Sequence, residues 1–196
     1  MLFQVGFPQF LRDDVTKVIG LITNKTFNSV KIDVSQERIH YLQENNVIQF
    51  PYRIYYIDNT DKIIDKLSLQ QKMILHCIFS RSCDGFVRQK HIYSLLQMDY
   101  EYWAIPYIVK ICDEYVVEIL EMTYEHLKDK DTEPLKKFCL ENADSFCKSY
   151  QRMISYWNEY HRDKYENFHS YLGRKLFRDC FGYSRSIKAT GTVRDQ

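Results

Sequence analysis

The chain has 196 residues, of which 45% are apolar and 15% aromatic, with 16 Tyr and 12 Phe against 2 Trp. Its 27 basic and 26 acidic side chains nearly cancel, which leaves a formal net charge of +1. This apolar content excludes intrinsic disorder, and the low counts of 6 Gly and 4 Pro exclude a collagen-like or low-complexity chain. The length fits one domain, or one domain with a small appendage.

Neither a membrane span nor a secretory signal is expected. No stretch approaches the roughly 18 consecutive apolar residues that cross a bilayer. The start, MLFQVGFPQFLRDD, has no basic region and is interrupted by Pro8. The six cysteines include no C-x-x-C pair, so reduced thiols are expected. We therefore predict a cytoplasmic protein that makes no membrane contact.

The first sixty residues predict a small α+β cap. Apolar spacing indicates a helix over residues 11–23 and, after Ser35 as N-cap, a second helix over residues 35–45. Alternation indicates strands over residues 29–34 and 47–58. Pro51 would place the second strand at an edge or bend it, because proline cannot donate to a ladder. Residues 58–62, DNTDK, are the expected link onward.

From residue 67 the pattern is helical. Ser68 and Gln71 form a capping box, and Asp84 and Asp113 each precede a further helix as candidate N-caps. Pro106 fits the first turn of a helix. One long or two shorter helices are expected over residues 135–162, and a last helix over residues 171–182.

The fold class is therefore mainly α, with an N-terminal α+β cap at residues 1–60, a helical domain at 61–182 and a disordered polar tail at 183–196. Asp84 and Asp113 share the pattern Asp-x-aromatic-Val, each between two apolar helices. That echo is typical of stacked helix pairs as in HEAT-like solenoids. An irregular helical bundle is the alternative.

Local charge is less balanced than the total. Residues 101–133 hold nine acidic against three basic side chains, and residues 161–196 hold eight basic against four acidic. Such asymmetry can steer a charged partner, or it can simply keep each helix solvated.

A helix-turn-helix-like segment at residues 68–97 carries an alternative hypothesis, that of nucleic-acid binding. Its second helix is basic, and the residues that would contact the nucleic acid are Arg81, Arg88, Lys90 and His91. The overall charge of +1 is low for such a function.

Metal and cofactor sites are not predicted. The cluster His76, Cys77, Cys83 and His91 lacks the tight ligand spacing of structural zinc. No Walker A, Rossmann or G-x-S-x-G pattern occurs, so no catalytic residue is assigned. An enzyme with a site centred on His161 or His91 is kept as a second alternative.

Four segments resemble an uncharacterised family of bacterial cytoplasmic proteins. They are FPYRIYYID, RSCDGFVRQKHI, WAIPYIVKICDEYVVEIL and RMISYWNEYHRDKYENF, within residues 48–168. The resemblance implies one folded unit of bacterial origin and transfers no activity, cofactor or residue role.

The leading hypothesis is a non-catalytic helical module that binds another protein, for example an immunity protein or antitoxin that neutralises its partner. Tyr and Trp are enriched at interface hot spots, and the tyrosine excess supports this function. The partner-binding residues predicted are Glu114, Glu118, Glu121, Glu125, Tyr156, Trp157 and Tyr160.

Overall fold

The structure is a computed structural model that describes residues 3–23 and 34–184. The chain divides into two compact units, Met1–Ala104 and Ile105–Gln196. The described residues are mainly helical, with a two-stranded antiparallel sheet in the first unit, which confirms the predicted fold class. Residues 60 and 61, where the sequence favours a boundary, both lie inside the first unit.

The first unit is built around its second helix. Its elements are α1 (Arg12–Thr23), β1 (Arg38–Gln43), β2 (Asn46–Pro51), α2 (Leu69–Phe79) and α3 (Gly85–Gln97). Every residue of α2 from Met73 to Phe79 is buried, and α2 packs against both α1 and α3. A helix that is apolar on all sides belongs at the centre of its unit.

The predicted helix over residues 35–45 is wrong, because this segment contains β1. Tyr41 and Gln43 are buried whereas His40 and Leu42 are exposed, which is the alternation of a strand. Glu44 and Asn45 have φ values of 50° and 63°, so they form a two-residue turn that returns the chain into β2. Within the predicted strand over residues 29–34, only Val34 belongs to the described residues, and it forms a bridge with Ile54.

Both capping predictions in the first unit are confirmed. The Ser68 hydroxyl accepts from the Gln71 amide, and the Gln71 side chain accepts from the Ser68 amide. The Asp84 carboxylate accepts from the amides of Phe86 and Val87 at the start of α3. These contacts satisfy amide groups that have no partner within the helix.

An extended stretch of chain after β2 covers the turn between α2 and α3. The Ile54 amide donates to the Arg81 carbonyl over 2.8 Å, and the Cys83 amide donates to the Ile54 carbonyl over 2.8 Å. The strand predicted over residues 47–58 therefore ends its ladder at Pro51, as expected for a proline, and continues as an isolated bridge.

The second unit is helical throughout its described part. Its elements are α4 (Ile105–Val109), α5 (Val117–Leu127), α6 (Glu133–Glu141), α7 (Ala143–Tyr156) and α8 (Leu172–Lys175). Two π-helical turns, Trp157–His161 and Leu176–Cys180, extend α7 and α8. The stretch over residues 135–162 thus forms two helices, separated at Asn142.

Asp113 does not cap a helix, which corrects the sequence prediction. It lies in a 3-10 turn, Lys110–Asp113, and α5 begins later, after Val116, with no side-chain cap. Asp84 and Asp113 are therefore not structurally equivalent, although their shared sequence pattern suggested stacked helix pairs. Of the predicted tail, residues 185–196 lie outside the described residues.

Candidate functional site

Three tyrosines of the second unit form a cluster that reaches the surface. Tyr115 precedes α5, Tyr156 ends α7, and Tyr160 lies in the π-helical turn that follows. Their ring centroids are separated by 5.8 Å (Tyr115–Tyr156), 6.2 Å (Tyr156–Tyr160) and 6.4 Å (Tyr115–Tyr160). Tyr160 is 62% exposed and Tyr115 is 42% exposed. We call this the tyrosine cluster.

The π-helical turn and the loop after it bind the outer face of α5. Lys164 donates to Glu121 over 2.8 Å, and the Tyr165 hydroxyl donates to the same carboxylate over 3.0 Å. These hydrogen bonds, that from Lys164 above all, hold the pKa of Glu121 below its ordinary value. The ring of His161 donates to the Tyr115 carbonyl over 2.8 Å and stacks on buried Tyr171. These contacts fix the π-helical turn, which carries Tyr160, beside Tyr115 and α5.

Two segments next to the cluster residues in sequence, α5 and the stretch after α7, carry carboxylates. On α5, Glu118 and Glu125 are exposed. After α7, an open depression of about 610 Å³ is lined by Asn158, Glu159, Tyr160, Arg162, Asp163 and Glu166, of which three are acidic and one is basic. This surface combines exposed aromatic rings with a net negative charge.

Two residues predicted for partner binding are not members of the tyrosine cluster. Glu114 is buried, and its carboxylate accepts from the Tyr115 amide, so it shapes the chain below the cluster. Trp157 donates to the Tyr165 carbonyl over 2.9 Å and packs on Phe168. The structure brings together Tyr156 and Tyr160 with Tyr115, a residue that the sequence did not single out because its charged neighbours dominate the pattern.

The basic residues of the helix-turn-helix-like segment are mostly inside the first unit. Arg81 and Arg88 are 2% and 0% exposed, and they donate to the backbone carbonyls of Tyr52, Ser82 and Cys83. Lys90 is exposed, and it binds Asp58 and Asp61. Direct contact with phosphates needs exposed cations, so this arrangement counts against a recognition helix here.

His91 belongs to a buried polar cluster that the sequence did not reveal. Its Nδ1 lies 2.9 Å from Nδ1 of His76, and its Nε2 lies 3.4 Å from both Asp58 Oδ2 and Thr60 Oγ1. Burial lowers the pKa of His91 from 6.5 to about 4 and that of His76 from 6.5 to about 3. A substrate cannot reach a side chain that is 0% exposed, so this arrangement does not favour a catalytic role for His91.

Asp58 anchors this cluster from the segment that was expected to be a linker. Burial opposes its ionisation, but hydrogen bonds from Thr60 and Lys90 outweigh that effect and hold the pKa of Asp58 well below its usual range. Residues 58–62 therefore fold against α3 through specific contacts.

A second buried charge cluster stabilises the second unit. Lys110 donates to Asp113, and each of these side chains is 3% exposed. Arg152 of α7 lies 3.6 Å from the same carboxylate. A buried carboxylate needs such partners, which explains why Asp113 is not available as a cap.

A groove in the first unit is lined by the N-terminal turns and the β-hairpin. It has a volume of about 530 Å³, and Val5, Phe10 and Val47 along it are exposed apolar residues. Single exposed apolar side chains are common on protein surfaces, and the groove holds none of the predicted site residues.

All six cysteines lie in the described part of the chain, and none is in a disulfide. Among the described residues, no helix has both the length and the apolar character to cross a bilayer. In the same residues, His, Cys, Asp and Glu side chains form no group of three that could hold a metal ion. Comparison with family models, with curated proteins and with solved structures found no match.

Proposed function

We propose that the second unit is a non-catalytic binding module that takes a basic partner protein on the tyrosine cluster. The observation that carries this proposal is the mutual contact of Tyr115, Tyr156 and Tyr160 at the surface, with two rings well exposed. Rigid aromatic side chains bury a large area at small entropic cost, which is why they dominate interface hot spots.

The charge around the cluster supports a basic partner. Glu118 and Glu125 on α5 and the acidic depression at residues 158–166 give this surface a negative potential. Such a potential speeds association with a cationic surface, and a tyrosine face attracts guanidinium groups. The chain itself contains such a contact, since the Arg53 guanidinium lies over the Tyr52 ring, 4.6 Å from its centroid.

An immunity protein or antitoxin is one form that this function takes. A toxin that acts on nucleic acid needs a basic substrate-binding surface, because its substrate carries a phosphate backbone. An acidic and aromatic surface on a second protein would cover that surface and block it. A toxin that acts on nucleic acid is therefore the first class of partner to examine.

The first experiment measures binding of two probe peptides of equal length, oligo-arginine and oligo-glutamate, to the intact chain. We expect the arginine peptide to bind and the glutamate peptide not to bind. Tyr160→Ala should weaken binding roughly tenfold, which is typical of a moderate hot spot. Tyr93→Ala is the matched control, since Tyr93 is 54% exposed in the first unit and lies outside the cluster.

A second variant tests the electrostatic contribution to binding of the basic partner. Glu118→Lys combined with Glu125→Lys should slow association and weaken its dependence on salt, since both side chains are exposed and the acidic residues of the depression remain. Equal binding of the two peptides, or an equal loss in Tyr93→Ala and Tyr160→Ala, would contradict the proposal. Capture of a basic protein from the host extract by the unmodified chain and not by Tyr160→Ala would identify the partner.

A further inference from the structure

The buried histidines of the first unit allow their protons to be assigned. Thr60 Oγ1 donates to Asp58 Oδ1, so the hydroxyl oxygen and the Asp58 carboxylate both face His91 Nε2 as acceptors. Nε2 of His91 must therefore carry a proton. A neutral imidazole has a single N–H, so Nδ1 of His91 has a lone pair and accepts from Nδ1–H of His76 over the 2.9 Å separation.

This donor order defines how the pair responds to acid. One added proton can be placed on Nε2 of His76 with the Nδ1–Nδ1 hydrogen bond intact. A second must go to Nδ1 of His91, where it would leave two N–H groups pointing at each other. Both additions place positive charge at a buried site, which burial opposes.

The charged groups that act on the pair come from three segments. Asp58 and Asp61 belong to the stretch before α2, Lys72 to α2 and Lys90 to α3. The two aspartates favour protonation of His91 and the two lysines oppose protonation of the pair, so the electrostatic effects partly cancel. Phe79 stacks on the His91 ring at 4.8 Å and adds an apolar wall.

We propose that His76, His91 and Asp58 form an acid-sensitive lock that holds residues 58–62 against α2 and α3 at neutral pH and releases them in mildly acidic solution. In the closed form both imidazoles are neutral. When residues 58–62 lift away, the imidazoles meet water and take up protons at their ordinary pKa of about 6.5. Protons therefore bind the open form preferentially and shift the population towards it.

The size of the response follows from linkage. With two imidazoles that titrate only in the open form, the opening constant rises about 100-fold between about pH 7.5 and about pH 5.5. With one such imidazole, the rise is about tenfold.

The experiment is amide hydrogen exchange of the intact chain across this pH range, corrected for the intrinsic exchange rate. The reporters are the Thr60 amide, which donates to Asp58, and the Ile63 amide, which donates to the Thr60 carbonyl. We expect the corrected opening constant to rise about 100-fold in the unmodified chain and about tenfold in His76→Phe. His40→Gln is the control, because His40 is exposed on the hairpin of the same unit, and it should respond like the unmodified chain.

Nitrogen NMR of the unmodified chain at neutral pH provides a test that needs no variant to fold. His91 should be the Nε2–H tautomer and His76 the Nδ1–H tautomer. The reverse tautomers, an opening constant that changes less than about twofold, or a full response in His76→Phe would each overturn the lock.

Discussion

At the scale of single residues, burial decides what a charged side chain does. Arg81 and Arg88 are as basic in sequence as any surface residue, yet their guanidinium groups donate to backbone carbonyls around the turn between α2 and α3. The carbonyls of Ser82 and Cys83 lie in that turn and the carbonyl of Tyr52 lies in the extended segment that covers it, so all three are outside the helices and need donors from elsewhere. The two arginines thus supply side-chain donors to backbone carbonyls of the turn and of the segment that covers it.

Arg88→Met should therefore destabilise the first unit by about 3 kcal/mol, because it removes a buried guanidinium that donates to the carbonyls of Ser82 and Cys83. The measurement is the midpoint of urea unfolding. Arg12→Met serves as the control at an exposed position, where a change within about 0.5 kcal/mol is expected. A loss at Arg88 no larger than at Arg12 would contradict the role assigned to Arg88.

At the scale of elements, aspartate has different roles in two turns that precede helices. Asp84 caps α3 through two amides, whereas Asp113 binds buried Lys110. An exposed cap contributes modestly, but removal of one member of a buried pair leaves the other charge without compensation.

We therefore expect Asp84→Ala to cost about 1 kcal/mol and Asp113→Ala about 3 kcal/mol in the free energy of unfolding. The two variants are compared by urea titration under one set of conditions. Equal losses would contradict the larger contribution assigned to the contact between Asp113 and Lys110.

A double replacement separates charge from packing. Lys110→Met combined with Asp113→Leu removes both buried charges, so it should cost less than Asp113→Ala alone. A larger loss in the double variant would mean that the ion pair itself stabilises the unit.

At the scale of the whole molecule, the charge asymmetry read from the sequence is partly neutralised by local pairing. Lys164 from the basic end of the chain binds Glu121 from the acidic middle, both within the second unit. Glu125 is likewise paired, with Lys128. Exposed carboxylates remain beside the tyrosine cluster at Glu118 and in the depression at residues 158–166, and they form part of the proposed partner surface.

The free energy of unfolding should decrease as the pH decreases, and the buried histidines set this direction. Because burial lowers the pKa of His76 to about 3 and that of His91 to about 4, the unfolded chain binds protons first as the pH falls below 6.5. The contribution of the two neutral imidazoles is complete above pH 6.5 and is lost as the pH falls from that value to about 4 for His91 and about 3 for His76. Asp58, with a lowered pKa, extends the loss to pH values below its unfolded 3.8.

By about pH 5, the unfolding free energy should be lower than at pH 7 by up to about 4 kcal/mol, since each imidazole contributes about 1.4 kcal/mol per pH unit. Urea titrations across this range measure the slope. His76→Phe should lose about half of it, and His40→Gln should keep all of it. A slope that is unchanged in His76→Phe would exclude the histidine pair as its source.

Features that depend on neighbours along the chain can be predicted from the sequence alone. The capping box at Ser68, the cap at Asp84 and the end of the β2 ladder at Pro51 involve groups only a few residues apart, so composition and spacing suffice to predict them. The mainly helical class follows from the same local periodicity.

Which polar residues are buried, and which residues come together at one surface, depends on tertiary contacts. Residues 38–43 form a strand because Tyr41 and Gln43 are buried beside a partner strand, and buried His91 and Asp113 lie against Asp58 and Arg152, which are distant in sequence. Tyr115 meets Tyr160 because α7 packs against the 3-10 turn Lys110–Asp113 and the ring of His161 donates to the Tyr115 carbonyl. Burial and pairing between distant segments depend on contacts that a one-dimensional pattern does not contain, and they set both the candidate site and the acid response.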